Sequence, residues 1–252
     1  MKIVISPAKS LDFETELPTA RSTKCAFLTD SRVINKIIRK KNPPELSELM
    51  TISNKLAELN WQRNKKWKIP FTAENARPAI YAFNGDVYQG LDAYSIPAEK
   101  IELLQNSVRI LSGLYGILKP LDLIQPYRLE IGTHLSVGES KNLYEFWKKK
   151  LTTTLNKELK KTDVFVNLAS NEYFSAIDAK ELKVPVITPE FKDYHDGKLK
   201  IISFFAKKAR GMMVRFIIDT DANTVDDLKS FNYDNYLYDA NLSTENKLVF
   251  TR

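Results

Sequence analysis

Asp163-Val-Phe-Val-Asn-Leu-Ala169 is a strand-length run with almost no polar alternation. A strand with one face in water alternates apolar and polar residues, whereas a continuous apolar run is covered on both faces. Such a strand needs a helical layer above and below it, which points to an α/β fold with parallel strands at its centre. Shorter runs at 2–5, 184–188, 200–204, 236–238 and 247–251 fit the same sheet, with Pro189 closing the second of them. They spread over the full length, which argues for one domain over residues 1–252.

Helical spacing fills the gaps. Val33, Ile34, Ile37 and Ile38 form one stripe behind a cap at Asp30 or Ser31, and Pro43-Pro44 stops that helix and presets the next. Leu143, Trp147, Leu151, Leu155 and Leu159 form a longer stripe. Ile101, Leu104, Val108 and Leu111 predict a helix ending at Ser112-Gly113, and Pro120 leaves room only for a short second helix within 117–124. The basic, aromatic stretch 61–68 reads as a surface turn. Asp196-Gly197 is a two-residue hairpin signal, so the expected sheet is mixed, with antiparallel pairs at its hairpins.

The chain carries 38 Lys and Arg against 31 Asp and Glu, a net charge of +7 that suits a polyanionic partner. A single cysteine, Cys25, excludes an internal disulfide and fits a reducing compartment as a buried thiol. The apolar run at the N-terminus is too short for a signal peptide, and no stretch has the length of a membrane span. A cytoplasmic location without a membrane partner is the expectation. Two histidines leave little for a nitrogen-rich metal site, and no zinc or calcium spacing occurs.

The stretch Lys198-Leu-Lys-Ile-Ile-Ser-Phe-Phe-Ala-Lys-Lys-Ala-Arg210 carries no acid. It reads as a strand leaving the hairpin and feeding a helix from about Ala206. Cations near a helix start oppose the macrodipole unless an anion neutralises them. Lys207, Lys208 and Arg210 are therefore either a solvated face or a phosphate-contacting surface.

Four further motifs carry chemistry. Ser6-Pro7-Ala8-Lys9 has the Ser-x-x-Lys spacing of serine acyl enzymes, but proline interrupts it and the partner motifs are missing, which favours Lys9 as an anion ligand. Leu111-Ser-Gly-Leu-Tyr-Gly116 loosely resembles the turn of a helix-hairpin-helix, whose amides around Gly113, Tyr115 and Gly116 can hold a phosphate. A glycine-terminated helix packing on its neighbour is the plainer alternative. Pro126-Tyr-Arg-Leu-Glu130 places Arg128 and Glu130 on one face of an extended segment, where they can pair with each other. Asn167-Leu-Ala-Ser-Asn-Glu-Tyr173 ends a strand in polar groups, with Glu172 a candidate base or metal ligand.

With these blocks in order, the chain resembles the YaaA family of bacterial peroxide-stress proteins. The blocks are ISPAKSLDF, AFNGDVYQGL, LSGLYGILKPLDLIQPYRLEIG, VNLASNEYF and KIISFFAKKARGMMVRFII, with LVF near the end. Ser10 and Ile131 stand where threonine and methionine are common in that family. The resemblance implies a single α/β domain with a mixed sheet and a basic cleft. It implies a helix-hairpin-helix-like element on residues 101–124 and binding to double-stranded DNA. It also implies a part in lowering free iron under peroxide, by a route it does not supply.

Three functions follow as expectations. In the first, the protein binds duplex DNA without sequence preference through Lys9, Gly113, Tyr115, Gly116, Lys119, Arg128, Lys207, Lys208 and Arg210, with no cofactor and no directly bound metal. In the second, it is an enzyme acting on a nucleotide or other small anion, with Lys9, Arg128, Glu172 and Lys207 around the reacting group. In the third and weakest, an oxygen-rich iron site uses a histidine such as His195 beside Asp193 and Asp196.

Overall fold

The computed structural model describes residues 1–252 as a single α/β domain built on a mixed eight-stranded sheet. Lys2–Ile5 lies in the middle of this sheet. Phe165–Leu168 pairs with it in parallel on one side and Val108–Ser112 on the other, so that Ile3 is level with both Val166 and Val108. Beyond Phe165–Leu168 come Val186–His195 and Lys247–Thr251, both parallel to it, and then Leu237–Tyr238, antiparallel. Gly116–Leu118 closes the opposite edge, antiparallel to Val108–Ser112. Ile3, Val4 and Ile5 have no exposed surface, because strands flank them on both edges and helices cover both faces.

Two long helices do most of the covering. Leu143–Glu158 buries Leu143, Trp147, Leu151 and Leu155 on one stripe, and Asn142 caps it by accepting from Glu145 N–H at 3.0 Å. Ser203–Thr220 buries Ala206, Ala209, Met213 and Ile217, and packs tightly along the short helix Asp86–Leu91. The paired helices Pro43–Met50 and Asn54–Lys66 carry a small satellite core of Leu46, Ile52 and Ala57.

Several local readings change. The helix expected through Leu111 stops at Ser107, and Val108–Ser112 is a fully buried central strand. Helical spacing from Ile101 to Leu111 thus spans two elements. A strand buried on both faces shows no alternation to betray it. Gly116, at φ +71°, turns the chain back into Gly116–Leu118, whose Ile117 pairs with Leu111. Residues 108–118 are a β-hairpin, so the second helix expected within 117–124 does not form and residues 101–124 do not make a pair of helices.

The segment 61–68 is mostly the end of the helix Asn54–Lys66 rather than a surface turn, and Arg63, Lys65 and Lys66 complement the negative end of its dipole. The first expected cap also moves: the helix Leu28–Ile38 begins after Phe27, while Ser31 donates back to the Phe27 carbonyl at 2.9 Å. Pro189 does not end its strand. Thr188 N–H points toward the Lys247–Thr251 side, so the missing Pro189 donor faces the other edge, where pairing with Phe165–Leu168 ended at Ile187. The hairpin at Asp196-Gly197 forms as expected, with φ of 52° and 71°, but its second strand is only Lys198–Lys200 and the helix begins at Ser203.

Candidate functional site

Lys2–Ile5 is where the sheet changes direction. The chain goes from it to Val108–Ser112 on one side and later to Phe165–Leu168 on the other. In open α/β sheets the crevice beyond the carboxyl ends of strands at such a reversal is the usual ligand site. Here those ends are stitched together: Ser170 N–H donates to Ser6 Oγ at 2.9 Å, and the two hydroxyls are 3.3 Å apart.

A cavity of about 430 Å³ opens directly above this junction. Four cations line it from separate parts of the chain: Lys9 after the first strand, Arg128 on an irregular loop, and Lys207 and Arg210 on the Ser203–Thr220 helix. Asp86, Glu130 and Glu172 are its carboxylates. Lys9 Nζ lies 3.0 Å from Glu130 Oε2, and Arg128 Nη2 lies 3.4 Å from Glu130 Oε1. Arg128 Nε is buried and has no hydrogen-bond partner. Lys207 and Arg210 make no ion pair, and burial lowers the Arg210 pKa, partly offset by the more distant Glu190. Glu172 Oε1 accepts from Gly132 N–H at 3.3 Å. Burial raises the pKa of Tyr88, Tyr127 and Tyr173, which keeps these three wall phenols neutral. Tyr88 OH donates to the Ser6 carbonyl at 3.0 Å and fixes the loop.

The structure therefore brings Lys9, Arg128, Glu172, Lys207 and Arg210 together and leaves the other candidates out. Gly113, Tyr115 and Gly116 are buried. A Cβ on Gly113 would lie 2.3 Å from Leu129 O, and one on Gly116 2.6 Å from the Trp147 ring. The turn's polar groups are already engaged: Tyr115 N–H donates to Ser112 Oγ and Trp147 Nε1 donates to Gly113 O. These glycines allow close packing, and no phosphate reaches their amides. Lys119 is exposed but stands near Lys2 and Glu102, away from the cavity, and Lys208 does not line it. Ser6 is engaged with Ser170 and Lys9 with Glu130, so the two do not form a serine–lysine pair. Sequence reasoning missed Asp86 and Tyr88. The Asn84-Gly85 break just before them was the signal available, since strand-to-helix turns present side chains at such sites.

A family model described as peroxide stress protein YaaA matches residues 1–242. This chain belongs to that family. It is 71% identical to a UPF0246 protein of Flavobacterium johnsoniae over the whole of both chains. It is 52% identical to a UPF0246 protein of Aliivibrio fischeri, covering 100% of this chain and 98% of the relative. The YaaA-family fold seen here thus carries its cavity on residues 6–210, within the matched span.

No group of three His, Cys, Asp or Glu side chains in this YaaA-family chain is arranged to hold a metal ion. Asp193, one candidate ligand, is buried, accepts from Tyr236 OH at 2.8 Å and pairs with Arg252 at 2.6 Å. No helix is long and apolar enough to cross a membrane. Cys25 is buried, with its thiol 2.9 Å from the Leu123 carbonyl.

Proposed function

We propose that this chain is a peroxide-stress protein that holds double-stranded DNA by its phosphates, largely without regard to sequence, and so helps to limit iron-driven oxidative damage. The observation that carries this reading is the convergence of Lys9, Arg128, Lys207 and Arg210 on one cavity, with Arg128 Nε unpartnered and Arg210 unpaired. A buried donor without a partner costs about 1–3 kcal/mol, and a phosphate oxygen would relieve it. Guanidinium groups match phosphate geometry better than any other side chain. The net charge of +7 supports attraction of a polyanion. In this version side chains make the contacts, and the buried glycine turn makes none.

Binding of a labelled duplex across a salt series tests the reading, with wild type beside a Lys207→Glu, Arg210→Glu variant. Affinity should fall steeply with salt, by a slope of about −0.9 per phosphate neutralised. The variant should bind at least roughly ten-fold more weakly. A flat salt response, or a variant equal to wild type, removes it.

One observation favours a second reading, an enzyme acting on a nucleotide or other small anion. The cavity volume lies in the range of small-molecule sites, roughly 300–1,000 Å³, and Glu172, Ser6 and Ser170 all line it. Incubation with nucleotide mixtures and mass spectrometry tests this. Turnover lost in Glu172→Ala, with duplex binding intact, would establish the enzyme over the clamp.

A further inference from the structure

A second groove, of about 560 Å³, lies on the other side of the Pro126 loop. Arg63, Lys65, Lys66 and Lys68 line it together with the amides of Asn75 and Gln125, and no carboxylate does. The strand-end cavity mixes both signs of charge, whereas here the charge is of one sign only. With four cations on one wall and no carboxylate to offset them, the groove favours an anion.

The groove is also rigid. Trp67 points inward, 5% exposed, and its Nε1 donates to Tyr115 OH at 3.1 Å. The Gln125 side chain clamps the next residue from both sides, accepting from Lys68 N–H at 3.1 Å and donating to the Lys68 carbonyl at 2.8 Å. These anchors turn the lysine side chains outward along one rim. Arg63 is half-buried, makes no ion pair, and has only a 3.4 Å contact with Asn60 Oδ1. Burial lowers its pKa, and Arg128 lowers it further. That second effect ties the two regions together electrostatically: Pro126 lines the groove, while Tyr127 and Arg128 line the cavity.

We propose that this groove is a second phosphate site, and that one nucleic-acid backbone runs from the strand-end cavity across the Pro126–Arg128 loop into it. The proposal rests on the DNA reading above and extends its footprint to residues 63–68. Lysines on a fixed rim act as point charges for successive phosphates, and the site carries no base-reading geometry, so it adds affinity and salt dependence without sequence preference.

The test is duplex binding by fluorescence anisotropy across a salt series, using the whole chain. One variant carries Lys65→Gln, Lys66→Gln and Lys68→Gln, all at exposed positions that leave the fold intact. A control of equal net charge carries Lys40→Gln, Lys160→Gln and Lys161→Gln, also exposed. The groove variant should lose roughly ten-fold or more in affinity and show a salt slope shallower by about 2–3, whereas the control should stay within about two-fold of wild type. A groove variant indistinguishable from the control overturns the proposal. If that happens while Lys207→Glu, Arg210→Glu abolishes binding, the DNA reading survives and only the extension fails. If the groove variant fails and the cavity variant binds normally, the groove is a phosphate site and the cavity is not. A wild-type chain that binds no duplex at low salt overturns both.

Discussion

Lys9 Nζ lies 3.0 Å from Glu130 Oε2, which ties the loop after the first strand to the loop that carries Arg128. The same carboxylate also faces Arg128, at 3.4 Å. Glu130 therefore holds two cations of the cavity in place and masks part of their charge.

Replacing Glu130 with Gln should unmask them. Lys9 is largely exposed, so its pairing with Glu130 is weak, about 0–1 kcal/mol. Affinity for duplex or inorganic phosphate should rise by roughly 3–5-fold, with a steeper salt slope. Titration calorimetry at low salt reads this directly. A fall in affinity would mean that Glu130 matters more as a positioner of Arg128 than as a competing anion.

The position of Lys207 and Arg210 depends on a glycine. A Cβ at Gly211 would lie 1.8 Å from the Val87 carbonyl oxygen, which is backbone and has little room to yield. Gly211→Ala should push the Ser203–Thr220 helix off Asp86–Leu91 and destabilise the fold by about 2–3 kcal/mol, the upper part of the range for overpacking. Urea denaturation measures the loss, and phosphate affinity should fall with it because two of the four cations move.

Acid stability should depend on Asp12. Its carboxylate accepts from the Thr15 hydroxyl and N–H and from the Glu14 N–H, which hold its pKa down to about 2 from 3.8. A depressed carboxylate stabilises the fold above its unfolded pKa and loses that contribution as pH falls through its folded value. Wild type should be more stable than Asp12→Asn by a constant margin above about pH 5, with the margin shrinking below that and small by about pH 2. Denaturation midpoints of the two proteins at pH 6, 4 and 2.5 check the trend. A margin that does not shrink with acid would assign the effect to something other than this carboxylate.

Cys25 should not sense peroxide. The thiolate is the reactive form, and burial, with Asp122 nearby, pushes the Cys25 pKa well above its ordinary value. Native protein exposed to hydrogen peroxide should show no sulfenic acid and no thiol labelling, with full labelling only after denaturation. Cys25→Ala should leave duplex binding unchanged. Rapid modification of the native thiol would overturn this and make Cys25 a redox switch.

Elements whose apolar pattern was undivided were legible in the sequence. Lys247–Thr251, Leu143–Glu158 and the Asp196-Gly197 turn lie where their local chemistry put them. Val108–Ser112 was misread because a helix runs directly into a strand with no proline or glycine between them, and the apolar spacing carries across the joint. Lys9 and Glu172 were legible as polar groups at strand ends and Lys207 and Arg210 as cations near a helix start, and with Arg128 they do share the cavity. Their convergence is a product of strand order, which local spacing does not encode. The glycine turn failed as a site because a glycine that permits close packing and one that exposes its amide look alike in sequence.

The placement of Lys2–Ile5 at the centre of the sheet has a consequence for synthesis. Lys2–Ile5 gains one neighbour only when residues 108–112 have been made and the other only at 165–168. Until then both its edges lack partners, the kind of exposed strand edge that invites aggregation. A chain ending before residue 207 would lack Lys207 and Arg210 in the cavity and also Leu237–Tyr238 and Lys247–Thr251 in the sheet, leaving Val186–His195 without its parallel partner on that side.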